Sequence, residues 1–270
     1  MSSFLLGAKP SPPDPKDATF AFENSELLAG AVLPESNDVS ITDAHEWREQ
    51  RYQDCVGMSI VEVAKDNATV LGRPCPPLAP LLPYNQACFY DQPPAPGERM
   101  PDVGTNPRLG IKAAMHCGLV PESEYPETDE NIGMIPPMDV WQSASVARVK
   151  SYHRITSSDL ASFRRNLVAA LKLARDGKCG APMFAMPVYE NYLTVGSHVY
   201  EKVGGKLLGH HMQPISGIRT ALDAGEVPGS WPREHFGDNG LALISIPCLY
   251  EIGREFWVAV IDFHSFKVIA

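Results

Sequence analysis

The stretch that decides the fold reads Glu49-Gln50-Arg51-Tyr52-Gln53-Asp54-Cys55-Val56-Gly57-Met58-Ser59-Ile60-Val61-Glu62-Val63-Ala64. Its second half is apolar around most of a helical circumference, which predicts a buried helix from Cys55 to about Ala68. A thiol in the first turn of a helix lies at the positive end of the helix dipole, where the thiolate is favoured. A glutamine upstream can bring an amide N–H to the same point. The pattern therefore indicates a nucleophile with an oxyanion donor, although a cysteine that begins an apolar run is more often a small core residue.

The overall composition is that of an ordinary globular protein. The chain has 270 residues, of which 44% are hydrophobic and 20% charged, enough for one large domain or two small ones. The net charge is −9 and there is no basic run. A nucleic-acid backbone is therefore excluded as the expected partner, because nothing would neutralise its phosphates.

The cysteines do not form a recognisable metal or disulfide pattern. Six cysteines are spread along the chain without a Cys-x-x-Cys pair, so we expect no metal and no cofactor. One or two disulfide bridges remain open at this stage, with Cys75 and Cys88 as candidates. The N-terminus lacks the basic start of a secretory signal, and no stretch is long enough to span a membrane. We expect a cytoplasmic chain, or one carried in a larger particle such as a phage virion.

The order of patterns along the chain predicts two halves. Residues 1–32 form a proline-rich extended arm, expected to dock on the body or to contact a partner assembly. Residues 33–140 should be helical and rich in loops, and the proline density of residues 71–101 predicts no long regular element there. Residues 141–270 should be mainly β, with an added C-terminal segment from about 248. This segregation predicts an α+β protein with a cleft between its halves.

Local signals predict the individual elements. Asn106 is expected to cap a short helix that ends at Gly118, and Ser158 an amphipathic helix that ends at Gly177. Five segments have the pattern of strands: 147–155, 181–189, 212–218, 241–246 and 256–263.

Three motifs in the β half change the interpretation of Cys55. They are Gly209-His210 at the start of a strand, Gly229-Ser230-Trp231-Pro232, and Phe236-Gly237-Asp238-Asn239-Gly240. With the Gln50-to-Cys55 loop before them, they resemble the papain-like cysteine peptidases. Two intermediate segments agree: Asp102-Val103-Gly104-Thr105 with the family's Gly-Gly turn, and Gly118-Leu119-Val120-Pro121-Glu122-Ser123-Glu124-Tyr125-Pro126 with its Gly-x-x-x-Glu-x-x-Tyr-Pro segment. The order of the motifs holds from about residue 33 to 246.

The resemblance implies a fold and a set of site residues. The fold is two-lobed, with a helical left half, a β-rich, barrel-like right half and the active-site cleft between them. Cys55 would be the nucleophile and His210 the imidazolium paired with it. Gln50 would donate to the oxyanion hole, and Trp231 would shield the histidine from water.

Several positions depart from the family pattern. Gly229 stands where the family has the asparagine that orients the histidine, so Ser230, a backbone carbonyl or a water would have to replace it. The charge of Asp54 should raise the pKa of Cys55 and disfavour the thiolate. The loop before Cys55 is one residue short, which leaves Gln53 as the weaker alternative to Gln50. His211 is the alternative to His210 as the partner of Cys55. Neighbouring residues of a strand point to opposite faces, so only one of the two can meet the thiol.

These observations predict a cysteine-type peptidase that hydrolyses peptide bonds through a Cys-His dyad and an acyl-enzyme. Two alternatives stay open. The first is a catalytically impaired papain-fold component of a larger assembly, which Gly229 and Asp54 favour. The second is an amidase or endopeptidase acting on cell-wall peptide, for instance in a phage tail.

Overall fold

The computed structural model describes residues 6–20, 39–41, 50–143, 147–196, 198–228 and 241–263. They form an α+β structure, as the sequence predicts. Its helices are α1 Cys55–Val70, α2 Leu81–Asp91, α3 Pro107–Cys117, α4 Met138–Ser143, α5 Leu160–Arg175 and α6 Ile246–Ile252. Its strands are β1 Thr19–Phe20, β2 Val39–Ser40, β3 Ala147–Ile155, β4 Met183–Tyr189, β5 Val199–Tyr200, β6 Leu207–Pro214, β7 Gly217–Arg219, β8 Ala224–Pro228, β9 Leu241–Ser245 and β10 Glu255–Phe263.

The proline-dense region contains a helix that the sequence analysis excluded, so that prediction was wrong. Pro80 precedes α2 and Pro83 lies in its first turn. The first N–H groups of a helix have no intrahelical acceptor, so a proline there removes no hydrogen bond. Cys88 belongs to this helix, and both Cys75 and Cys88 are free thiols rather than a bridge.

The caps of the next helices follow local side-chain chemistry. The prediction for α3 is confirmed: Asn106 Oδ1 accepts from the Leu109 N–H at 3.0 Å, and Gly118 follows the last turn. For α5 the cap is Asp159 instead of Ser158. Its carboxylate accepts from the Ser162 N–H, and the Ser162 side chain pairs with the Asp159 backbone in return.

The strands form two sheets of five strands each. The first has the order β1-β3-β10-β4-β6, and the second β2-β7-β8-β9-β5. β10 lies between β3 and β4, antiparallel to both, so the segment after 248 supplies a central strand and not a marginal addition. The described strands leave both sheets open, so the right half is not a closed barrel.

The strand predicted over 212–218 is divided between the two sheets. β6 ends at Pro214, Ile215 and Ser216 cross over, and β7 begins at Gly217. β6 is the edge strand of the first sheet, and it pairs with β4 on one side only. Its other edge faces α1, where Ser59 Oγ donates to the Met212 carbonyl at 2.8 Å in a buried bond. This contact fixes the first turns of α1 against the free edge of β6.

A large hydrophobic core joins the two halves. It contains apolar side chains of α1 and α3 together with those of β4, β6 and β10. Within it, Phe163 contacts Phe256 edge to face at 4.8 Å between ring centroids, and Phe256 stacks on Phe184 at 5.8 Å. A second, smaller core lies under α2, around Leu82, Tyr84 and Val120.

Candidate active site

The thiol of Cys55 lies where α1 meets the free edge of β6. Cys55 is the first residue of α1 and is 1% exposed. The backbones of Met212, Gly7 and Val56 lie near its sulfur, and each lowers the pKa of the thiol. Three separate segments of the chain therefore converge on one sulfur atom.

The two candidate histidines differ in position along β6 and in burial. His210 is half-buried, and its carbonyl accepts a hydrogen bond from the Ala8 N–H at 3.1 Å. His211 is fully buried, and it lies on the same face of the strand as Gln213. The Gln213 side chain donates to the Pro228 carbonyl at 3.0 Å, so this face of β6 is next to the end of β8.

The N-terminal arm covers the thiol. Residues 7–9 run parallel to the segment around Thr105, with hydrogen bonds of 2.8 Å from the Thr105 N–H to the Gly7 carbonyl and from the Lys9 N–H to the Thr105 carbonyl. The arm is close enough to the body that a Cβ on Gly7 would overlap the Gln53 carbonyl, and a Cβ on Gly104 would overlap the Gly7 carbonyl. The arm thus fills the space between the loop before α1 and the edge of β6.

Burial under the arm determines the protonation states. Desolvation, with a smaller contribution from the charge of Asp54, raises the pKa of the Cys55 thiol to about 12, although the nearby backbone groups act in the opposite direction. Desolvation lowers the pKa of His211 to about 3. It also lowers the pKa of His210, with a smaller contribution from Arg254. At neutral pH the covered site therefore holds a neutral thiol and neutral imidazoles.

The side-chain amides of the two glutamines in the loop before Cys55 donate to nearby backbone carbonyls. Gln50 Nε2 donates to the Tyr52 carbonyl at 2.5 Å, and Gln53 Nε2 donates to the Asp102 carbonyl at 2.7 Å. Gln50 is half-buried, five residues before the thiol. These two bonds direct one N–H of each amide to a backbone carbonyl.

A carboxylate that the sequence analysis did not single out holds this loop in place. Asp102 accepts from the Gln53 N–H at 3.1 Å and from the Tyr84 hydroxyl at 2.6 Å. The Tyr84 hydroxyl in turn accepts from the Gly104 N–H at 3.1 Å. The loop before Cys55, α2 and the segment that binds the arm are thereby linked through one side chain.

Three of the site residues named in the sequence analysis cannot be placed in the site. Gly229, Ser230 and Trp231 lie beyond the described residues, as does the motif at 236–240. Within the described ranges no cluster of His, Cys, Asp and Glu side chains is arranged to hold a metal ion. In the same ranges no helix is long and apolar enough to cross a membrane.

The sequence analysis also missed the position of the arm. The proline-rich composition indicated an extended segment but not the place where it binds. The one available signal was the pair of glycines Gly7 and Gly104, because a glycine permits close approach of two backbones and both positions show such an approach.

The comparisons with known proteins concern the fold. No protein-family model matches the chain, and no curated protein matches it. Among solved structures it is similar to xylellain, a cysteine protease from Xylella fastidiosa, with a TM-score of 0.74 and 17% identity over 96% of each chain. It is similar to procathepsin B S9 from Trypanosoma congolense, with a TM-score of 0.67 and 15% identity over 96% of this chain and 87% of that one.

A third similar structure is the bromelain protease from Ananas comosus, determined in complex with the E64 inhibitor. It has a TM-score of 0.60 and 13% identity, over 83% of this chain and 99% of that one. The first is named as a cysteine protease and the third as a protease, and the similarity extends over most of every chain compared. The chain therefore has the papain-like fold that its motifs predicted.

Proposed function

We propose that this papain-like fold carries a cysteine-type peptidase with Cys55 as its nucleophile. The observation that carries the proposal is the convergence at Cys55: a thiol on the first turn of α1, against the free edge of a strand that holds two histidines. A helix N-terminus favours the thiolate once the thiol is exposed to water. Cys55 begins α1 and the two histidines lie on β6, in the order that the motifs have along the sequence.

The reaction follows from these groups. Cys55 Sγ loses its proton to the neighbouring imidazole and attacks the carbonyl carbon of a peptide bond. The imidazolium then protonates the leaving nitrogen, the C–N bond breaks, and a thioester remains on Cys55. The imidazole next takes a proton from water, and the resulting hydroxide attacks the thioester carbonyl. The C–S bond breaks, the carboxylic acid leaves, and the imidazolium returns its proton to the Cys55 thiolate. Gln50 is proposed to donate to the oxyanion together with the Cys55 N–H, which requires its amide to leave the Tyr52 carbonyl.

Two observations favour His211 over His210 as the base. The backbone of Met212 lowers the pKa of the thiol, and Met212 follows His211 directly and His210 by two residues. His211 also shares its face with Gln213, which bonds to Pro228 directly before Gly229 and Ser230, where the resemblance puts the orienting residue. The sequence favoured His210 from the Gly-His pattern alone.

Substitution of the three residues tests this assignment. We expect Cys55→Ala to abolish hydrolysis of a fluorogenic peptide library and His211→Ala to lower kcat/KM by about 10³-fold or more, since a dyad acts as a unit. His210→Ala should retain most activity. Cys75→Ser, which changes a thiol away from the cleft, is the matched control. Full activity in the Cys55→Ala variant would refute the nucleophile, and a reversed order of the two histidine variants would restore His210.

A second candidate function is supported by the surroundings of the thiol. The buried Asp54 next to Cys55 raises its pKa, and the arm occupies the cleft. Both features suit a papain-fold component of an assembly that binds through this cleft without turnover. An Asp54→Asn variant separates the two functions, because it should accelerate hydrolysis in a peptidase and leave a pure binding protein inactive.

A further inference from the structure

Three donor atoms from the ends of α2 and α3 meet outside the candidate active site. The Tyr90 hydroxyl lies 3.4 Å from His116 Nδ1 and 3.8 Å from Cys117 Sγ. Tyr90 is in the last turn of α2, and His116 and Cys117 are the last two residues of α3. We call these three residues the helix-end cluster. Its third donor is a phenol, which distinguishes it from the usual sets of His, Cys, Asp and Glu ligands.

The distances within the helix-end cluster are close to those between ligands of one tetrahedral metal ion. With bonds of about 2.0 Å to nitrogen or oxygen and about 2.3 Å to sulfur, two ligands of Zn²⁺ lie about 3.3 Å apart for nitrogen and oxygen and about 3.5 Å apart for sulfur and oxygen. The observed separations of 3.4 Å and 3.8 Å match these within a few tenths of an ångström. Small side-chain rotations therefore suffice to bring the donor atoms to one ion.

The surroundings of the helix-end cluster favour a cation that enters from solvent. The carbonyl end of α3, which carries the negative end of the helix dipole, lies next to His116 and Cys117. Tyr90 and His116 are exposed, which leaves an entry path for the ion. Burial raises the pKa of the Cys117 thiol, and the Tyr90 hydroxyl and the charge of Arg148 lower it. Arg148, in β3, opposes a cation at this point through its own charge.

A buried amide supports the phenol from behind. Gln86 lies one turn before Tyr90 on α2 and is 7% exposed. Burial and the neighbouring Cys117 raise the pKa of the Tyr90 hydroxyl, whereas the side chain of Gln86 lowers it. Metal ligands are commonly oriented by a second group of this kind, and its presence favours a defined position for the phenol oxygen.

We propose that Tyr90, His116 and Cys117 bind a thiophilic divalent metal ion of the Zn²⁺ class, with a water molecule as the fourth ligand. Thiolate sulfur and imidazole nitrogen are ligands that this class of ion prefers. Binding releases the thiol proton and the phenol proton to the solvent, and the thiolate and phenolate then balance the two charges of the ion. The spacing of the cysteines predicted no metal, because this set holds a single cysteine and a tyrosine 26 residues before the histidine.

The proposed ion joins the C-terminal ends of α2 and α3 and so stabilises the helical half of the fold. It uses none of the residues assigned to the peptidase, and the inference is independent of the proposed function. Zn²⁺ should therefore raise the Tm of the unchanged chain and leave that of a Cys117→Ser variant unchanged, because a ligand of the folded state stabilises it only where it binds.

Metal titration of the full chain tests the site, with Co²⁺ as the spectroscopic probe and Zn²⁺ as the competitor. We expect Co²⁺ to give a thiolate-to-metal charge-transfer absorption that Cys117→Ser removes. Zn²⁺ should displace Co²⁺ and block the reaction of Cys117 with iodoacetamide, followed by peptide mass. Tyr90→Phe and His116→Gln should each weaken Co²⁺ binding by about tenfold or more, since even the loss of a supporting group costs about 10–100-fold.

Matched variants separate this site from the candidate active site. Cys75→Ser changes another partly exposed free thiol and should leave Co²⁺ binding unchanged, as should Cys55→Ala. Arg148→Gln should tighten binding, because it removes a nearby positive charge. Absence of the charge-transfer absorption in the unchanged chain, its loss in Cys55→Ala, or full affinity in Tyr90→Phe would overturn the three-ligand site.

Discussion

At the scale of single residues, the fully buried His211 and the half-buried Asp66 make opposite contributions to the pH dependence of stability. Burial lowers the pKa of His211 from 6.5 to about 3, so its contribution is present above pH 6.5 and is lost as pH falls towards 3. Burial raises the pKa of Asp66 from 3.8 to about 7, so its contribution grows as pH falls from 7 towards 4. The lowered pKa values of His153 and His210 act in the same direction as that of His211.

Single substitutions separate the two contributions. Between pH 7 and pH 4 we expect the thermal midpoint of a His211→Gln variant to fall less than that of the unchanged chain, because no buried imidazole has to be kept neutral. The midpoint of an Asp66→Asn variant should fall more, because the gain from protonating the carboxyl is absent. Differential scanning calorimetry across this range measures both, and parallel profiles for all three chains would contradict the assigned environments.

At the scale of elements, the bonds of Asp102 decide how the loop before α1 is held. Its carboxylate joins the Gln53 N–H and the Tyr84 hydroxyl of α2. We expect Asp102→Asn to cost about 1–3 kcal/mol of unfolding free energy, because a half-buried acceptor is replaced and its donors lose a partner. The same variant should lower kcat more than the stability loss explains, since the loop carries Gln50 and leads to Cys55.

The control for that variant is Asp139→Asn, which changes an N-terminal carboxylate of the short helix α4, away from the loop. Denaturant unfolding and peptide hydrolysis measured on both variants give the two quantities. If Asp102→Asn lowers stability and leaves kcat unchanged, the carboxylate has no role in positioning the loop.

The elements also show how far a sequence can be interpreted without a structure. The cap of α3, the strand 147–155 and the start of α1 were predictable, because each depends on chemistry within a few residues. Helix α2 was not, since the cost of a proline depends on its position within the first turn. The Asp102 bonds and the position of the arm depend on segments far apart in the chain. The choice between His210 and His211 depends on which peptide bond of β6 faces the thiol.

At the scale of the whole molecule, the shared core predicts that the two halves unfold together. Cys179 belongs to the large core and Cys88 to the smaller core under α2, and both are buried free thiols. Because the large core includes residues of α1 and α3 as well as of the sheets, losing it removes the support of α2. Pulsed thiol labelling along a denaturant series should expose Cys88 and Cys179 at the same midpoint, within the width of the transition.

A separate midpoint for Cys88 would instead define the first half as an independently unfolding unit. The free thiol of Cys75, which is already partly exposed in the folded chain, serves as the reference for labelling efficiency. The predicted boundary between the halves near residue 140 would then also be a boundary of cooperativity.

The central position of β10 has a consequence for the synthesis of this protein on the ribosome. β3 and β4 pair with β10 rather than with each other, so the first sheet stays divided until the chain has been made as far as Phe263. β6, which carries the candidate base, joins the sheet only through β4. The nascent chain therefore carries Cys55 for more than half of its translation before the histidines can be fixed opposite it. If the chain has the proposed peptidase activity, this order of assembly keeps it inactive throughout its own translation.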